Sequence, residues 1–197
     1  MLKGVVCAAL LLGVGQTAAA QKWLDAPKYH LGVRLGYMET NVRHDIHLFD
    51  GHGDMNCQSV TAGAAFDVKL TKIPFYLETG LYYSNRGVDV VDGSRRYARD
   101  NHSLLVPAML SYHIYPGTNV SIQPFAGPFV AYNFGFEMPD YGLRLGCGVN
   151  YRQAYLNVGC DIGMRDNMFY NKEGFYEDDG NLTSIFVTVG WNFLGNR

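Results

Sequence analysis

The densest run of potential metal ligands lies between Asn41 and Cys57. It holds His44, His47 and His52, with Asp45, Asp50, Asp54 and Cys57 among them. Imidazole, carboxylate and thiolate are the groups that divalent metals take. His44 and His47 are spaced to meet on one tight turn. No paired CxxC spacing accompanies them, so a polar, glycine-containing loop accounts for the run as well, and no metal is assigned. A second cluster, Glu177-Asp178-Asp179, follows Phe169-Tyr170 and Phe175-Tyr176. Acids beside aromatics suit a calcium-assisted contact with a partner; a solvated loop is the plainer reading. Arg86, Arg95, Arg96 and Arg99 form a third group, whose planar guanidinium forks could engage lipid phosphates at the outer face of a membrane. Nucleophilic catalysis needs a hydroxyl or thiol beside a base. His102-Ser103 and Ser111 with His113 are available, but no acid at a fixed spacing completes a triad.

Composition narrows what these groups can serve. The chain has 197 residues, a formal net charge of -2 and 17% charged residues. Binding driven by phosphate neutralisation on nucleic acid needs a basic excess that this chain lacks. Aromatics at 14% argue against disorder. Beyond residue 20 no apolar run is long enough for a membrane helix. Residues 1–20 carry Lys3, an apolar stretch from Gly4 to Val14 and the small residues Ala18-Ala19-Ala20, the pattern of a cleaved signal peptide. Residues 21–28 then form a short lead. Cleavage leaves Cys57, Cys147 and Cys160, an odd number that excludes full pairing within one chain.

The elements that must position these groups are strands. Period-two alternation or strong β composition marks 29–42, 59–70, 75–85, 103–115, 120–132, 141–151, 154–165 and 183–194. Short connections (71–74, 116–119, 152–153) alternate with longer ones (43–58, 86–102, 133–140, 166–182). An up-and-down meander with its long loops at one end has this rhythm.

Each strand has two unlike faces. In 183–194, Ile185, Val187, Val189, Trp191 and Phe193 oppose Ser184, Phe186, Thr188, Gly190 and Asn192. In 141–151, Leu143, Leu145, Cys147 and Val149 oppose Arg144, Gly146, Gly148 and Asn150. A soluble sandwich puts charge outside and large apolar groups inside. Here the polar face is rich in glycine, which a narrow barrel interior requires and a solvent-washed face does not. The apolar face is therefore placed against lipid. The interior then holds Arg34, Asp67, Lys69, Glu78, Arg144 and Asp161, with Arg165, His113 and Asn150. The turn at 71–74 sets Asp67 opposite Glu78, a pair that repels unless a cation intervenes; Arg34 or Arg144 is the expected neutraliser. The interior reads as a closed salt-bridge network, with a proton or ion path as the alternative. Outward aromatics gather at strand ends: Tyr29, Phe75, Tyr112, Tyr151, Trp191 and Phe193 at one, Tyr37, Tyr83 and Tyr132 at the other. Two such girdles mark membrane interfaces. Cys147 and Cys160 fall on neighbouring strands, diagonal and outward, as small apolar residues rather than a disulfide. Cys57 falls in a long loop.

Taken with the segment Gln123-Pro124-Phe125-Ala126-Gly127-Pro128, Pro107 and the terminal Gly190-Trp191-Asn192-Phe193, residues 29–197 resemble the bacterial outer-membrane β-barrel domain family, of the small PorT-like and OmpA/OmpX-like kind. The resemblance implies an all-β fold: an eight-stranded antiparallel up-and-down transmembrane β-barrel with short periplasmic turns and longer external loops. It implies residence in the bacterial outer membrane, with no cofactor. The implied partners are outer-membrane lipid and lipopolysaccharide, the barrel-assembly machinery during insertion, and an envelope protein or surface ligand. The expected role is non-enzymatic, in envelope structure or assembly or in surface binding through the external loops. A lipid A-modifying enzyme and a soluble periplasmic barrel or sandwich are the alternatives.

Overall fold

The computed structural model describes residues 27–43, 56–92, 95–99, 101–117, 119–135, 137–165, 167–170 and 177–195. The signal segment 1–20, most of the lead, and His44, His47 and His52 lie outside them. The strands are β1 (Tyr29–Arg43), β2 (Asn56–Lys69), β3 (Phe75–Asn85), β4 (Val88–Asp92), β5 (Arg95–Arg99), β6 (His102–Tyr112), β7 (Val120–Asn133), β8 (Met138–Tyr151), β9 (Ala154–Gly163), β10 (Asn167–Tyr170) and β11 (Glu177–Gly195). Strands β1, β2, β3, β6, β7, β8, β9 and β11 pair antiparallel in that order, and β11 returns to pair with β1. Eight strands thus close into a barrel, leaving no open edge in the ring.

Short turns hold the register. Arg152-Gln153 is a two-residue connection, so Tyr151 faces Ala154, Val149 faces Leu156 and Cys147 faces Val158. Arg152 takes a left-handed backbone (φ 58°), the conformation that tight hairpin turns impose and that favours glycine or asparagine. At the 70–75 turn the Leu70 amide donates to the Phe75 carbonyl at 2.9 Å, and Val68 faces Leu77. Side-chain parity survives each turn, so one face stays apolar around the ring.

That face points outward. Ile185 and Val189 are each 57% exposed, whereas Phe186 and Thr188 between them are buried. The same alternation recurs on the other strands, so a continuous apolar belt surrounds the barrel. Water would penalise such a belt at roughly 25 cal/mol per Å²; hydrocarbon does not.

Inside, glycines make room for large side chains. A methyl group on Gly146 would lie 2.5 Å from Phe125 Cζ, one on Gly159 2.6 Å from Phe186 Cζ, and one on Gly63 2.7 Å from Tyr82 Cδ1. Each ring lies flat across a neighbouring strand because that strand offers no Cβ. The apolar part of the interior forms two clusters. Ala65, Tyr82, Leu105, Phe129 and Ala131 make one, and Met38, Met109, Phe125 and Phe186 the other.

Three elements depart from the sequence expectation. The 86–102 connection contains the β4–β5 hairpin, with Val90 opposite Tyr97. The acidic run Glu177-Asp178-Asp179 opens β11 and pairs with β10, so it is strand rather than loop. Cys57 lies in β2 opposite Thr40, not in a loop. Beyond the membrane a strand needs no apolar face, so alternation gives no signal there. Cys147 and Cys160 are free thiols.

Candidate functional site

The lumen is where sequence-distant charged groups meet, and they do so in tiers. Near the long-loop end, Arg86 Nη1 donates to Asp140 Oδ2 at 2.9 Å, with both side chains fully buried. The Arg86 guanidinium lies 5.5 Å from the Phe129 ring centre. Thr40 and Ser184 share a hydrogen bond at 2.9 Å beside it, as do Ser84 and Ser103 at 3.1 Å.

Midway, Arg144 and Asp161 face each other across β8 and β9. Arg144 Nε and Nη2 donate to the two carboxylate oxygens at 2.6 and 2.8 Å. This two-point bond matches the planar fork of one group to that of the other. Tyr82 and Phe186 flank the guanidinium, at 5.1 and 4.5 Å.

Lower still, Asp67 and Glu78 stand opposite each other on β2 and β3, both buried. Arg34 on β1 is flanked by Gly63 of β2 and Gly190 of β11. Its chain leans over Gly190, and its guanidinium sits 4.0 Å above the Tyr155 ring on β9. Its Nη1 donates to the Val33 carbonyl at 3.1 Å. Toward the short-turn end, His30 Nδ1 approaches Asp67 Oδ2 at 3.5 Å, an ion-pair distance outside hydrogen-bond geometry.

The short-turn mouth is closed by rings. Tyr76 and His113 stack at 3.8 Å. Tyr76 Oη donates to the Pro27 carbonyl at 2.8 Å, and Ser111 and His113 share a hydrogen bond at 3.2 Å. A cavity of about 10 Å³ lies beside Arg144, Asn157 and Thr188, near the lower bound for one water.

Of the six residues expected in the interior, Arg34, Asp67, Glu78, Arg144 and Asp161 are buried there. Lys69 keeps the lumen-facing parity but sits half-buried at the short-turn rim. Arg144, an expected neutraliser of Asp67 and Glu78, is bonded to Asp161 instead. Arg165 is half-buried at the long-loop end and donates to the Pro139 carbonyl at 2.7 Å. Arg86 was expected to reach outward to lipid phosphate; it is the most buried arginine of the lumen. Its partner Asp140, placed in a loop by the sequence reading, belongs to β8. The Arg144–Asp161 pair was available from turn arithmetic, since the 152–153 turn sets them opposite. Nothing in the sequence signals the Arg86–Asp140 pair, which joins the connection after β3 to β8. His102 and Ser103 lie on opposite faces: His102 is exposed and bonds Tyr83 Oη at 2.7 Å, and Ser103 is buried. Ser111 and His113 do meet, but at the sealed short-turn mouth.

On the outer surface Tyr29, Tyr37, Tyr83, Tyr132, Tyr151, Trp191 and Phe193 are exposed. Phe75 and Tyr112 are half-buried against each other, with ring centres 5.0 Å apart.

No family model matches the sequence, and no curated protein matches it. Solved structures do. The outer membrane protein OprG of Pseudomonas aeruginosa aligns with a TM-score of 0.55 at 14% identity, over 85% of this chain and 97% of that one. Neisserial surface protein A aligns at 0.45 and 10% identity, over 83% and 97%. Ail, the attachment invasion locus protein of Yersinia pestis, in complex with the heparin analogue sucrose octasulfate, aligns at 0.44 and 11% identity, over 84% and 99%. At these identities the likeness is one of fold, and OprG carries it across nearly its whole length. An apolar belt outside and a packed polar lumen inside ask for a bilayer, and the OprG match says which architecture answers: the chain is an eight-stranded transmembrane β-barrel with the fold of the small bacterial outer-membrane proteins.

Proposed function

We propose that the protein is a non-enzymatic resident of the bacterial outer membrane, with a closed barrel that holds its long-loop end at the cell surface for binding. The observation that carries this reading is the contrast between the two ends. The short-turn end stops at the barrel rim, under a lid of stacked rings. The long-loop end extends into further paired backbone, the β4–β5 hairpin and the β10–β11 ladder. Paired strands beyond the apolar belt present a firm surface at low entropic cost. The short-turn end is periplasmic on this reading, and the two sets of exposed aromatics anchor the barrel at the two interfaces. Outer-membrane lipid and lipopolysaccharide contact the belt. The barrel-assembly machinery handles insertion, and an envelope protein or surface ligand meets the long-loop end. Buried ion pairs and packed rings among the described residues support a closed lumen, and a non-conducting role accords with them.

Two measurements test this. Purified protein in planar bilayers is expected to give no ohmic conductance steps, and reproducible steps from clean preparations overturn the closed-lumen reading. A photo-crosslinker at Tyr97, in the hairpin, is expected to trap a surface component on intact cells, while one at Val187, on the belt, traps lipid only. Equal trapping from both positions removes the binding role and leaves a purely structural one.

A further inference from the structure

We infer that Asp67 and Glu78 hold one proton between them, as a buried carboxylic acid–carboxylate pair. The ligand of this lumenal site is the proton itself, and the site is independent of what the loops bind. Among the described residues, three arginines and four carboxylates are buried: Arg34, Arg86 and Arg144 against Asp67, Glu78, Asp140 and Asp161. Two of the arginines are committed. Arg86 bonds Asp140, and Arg144 spends two donors on Asp161. Of the buried arginines Arg34 alone remains for two carboxylates, with Lys69 half-buried at the rim two residues along β2 from Asp67, and a packed interior does not tolerate surplus negative charge.

Direction makes the shortage worse. Arg34 leans over Gly190 toward Tyr155 on β9, and neither Glu78 oxygen accepts a hydrogen bond from it. Among the described residues, neither oxygen of Glu78 meets a donor, nor does Asp67 Oδ1. The register explains why. Glu78 faces Asp67 on one side and Met109 on the other; a carboxylate and a thioether offer it no hydrogen. Directly opposite residues in an antiparallel pair have Cβ atoms roughly 4.5–5.5 Å apart, within reach of a carboxyl-to-carboxylate hydrogen bond. A proton on either oxygen turns the repelling pair into a donor and an acceptor. It also leaves a single negative charge to match Arg34.

His30 is the competing holder. It faces Asp67 across β1 and β2 and is its nearest route to the short-turn mouth. As imidazolium it would balance the charge without a carboxylic acid, and the measurement must separate the two.

Infrared difference spectra of the whole protein folded in lipid, at neutral pH, read the proton directly. The wild type is expected to show the carbonyl stretch of a buried carboxylic acid, shifted in heavy water. Glu78→Gln and Asp67→Asn should each lose that band, while heat-modifiable migration on gels shows that each still folds. The double variant strips Arg34 of its counter-charge and should lower the unfolding midpoint below that of either single variant. Nitrogen NMR of His30 should report a neutral ring. A wild-type spectrum without the acid band, or a band that survives both single substitutions, overturns the proposal. An imidazolium at His30 in the wild type overturns it as well, since that ring then carries the proton.

Discussion

Arg144 and Asp161 show what a single buried pair does in a lumen this narrow. Neither group reaches water, so each depends on the other for solvation as well as for charge. Removing one partner strands the other. Arg144→Met is expected to destabilise the barrel by about 3 to 5 kcal/mol, and Asp161→Leu by a similar amount. Joining the two substitutions should recover most of the loss, because no orphaned charge remains. Unfolding in urea from lipid vesicles, followed by tryptophan fluorescence, measures all three. Gly159 makes the complementary point about volume. The Phe186 ring lies where a Gly159 side chain would begin, so Gly159→Val should cost roughly 1 to 3 kcal/mol as overpacking. Phe186→Leu in the same chain should return part of that, and the same urea titration reads the difference.

At the scale of elements, the turns matter more than the strands they join. The 152–153 turn is the shortest, and parity on β8 and β9 hangs on it. One residue inserted there moves every β9 side chain to the wrong face, so Asp161 meets lipid and Val158 meets the lumen. Such a variant is expected to lose the heat-modifiable band on unheated gels. Two inserted residues keep parity and should retain it. The long-loop connections follow a different rule, since β4 and β5 pair only with each other and β10 pairs with the opening residues of β11. The signal that located the eight barrel strands was alternation imposed by lipid on one side and a packed lumen on the other. Val88–Asp92 and Glu177–Gly180 carry charge within paired strand instead. Their pairing was therefore invisible in the sequence.

For the whole molecule, sidedness is the property on which insertion rests. Val187 sits on the belt between Tyr37 of β1 and Val158 of β9. A nitroxide there is expected to collide with oxygen dissolved in the bilayer and to escape water-soluble quenchers. Val187→Arg should cost about 2 to 4 kcal/mol if that position lies at the bilayer midplane, and less toward either rim. Quencher access from water equal to that from lipid would contradict the belt. The amino-acid sequence by itself determined this sidedness and the register at the short turns. Both follow from local rules: the side-chain period of two, and turn lengths that fix which residue faces which. The tertiary structure alone decided how the lumenal charges are shared out. Arg86 turns inward to Asp140, and Arg34 leans toward Tyr155 rather than Glu78. The first joins the connection after β3 to β8 and the second joins β1 to β9, which are neighbours neither in sequence nor in the sheet. Only the closed ring brings them within reach, and only the glycines on intervening strands decide which way a long side chain can lie.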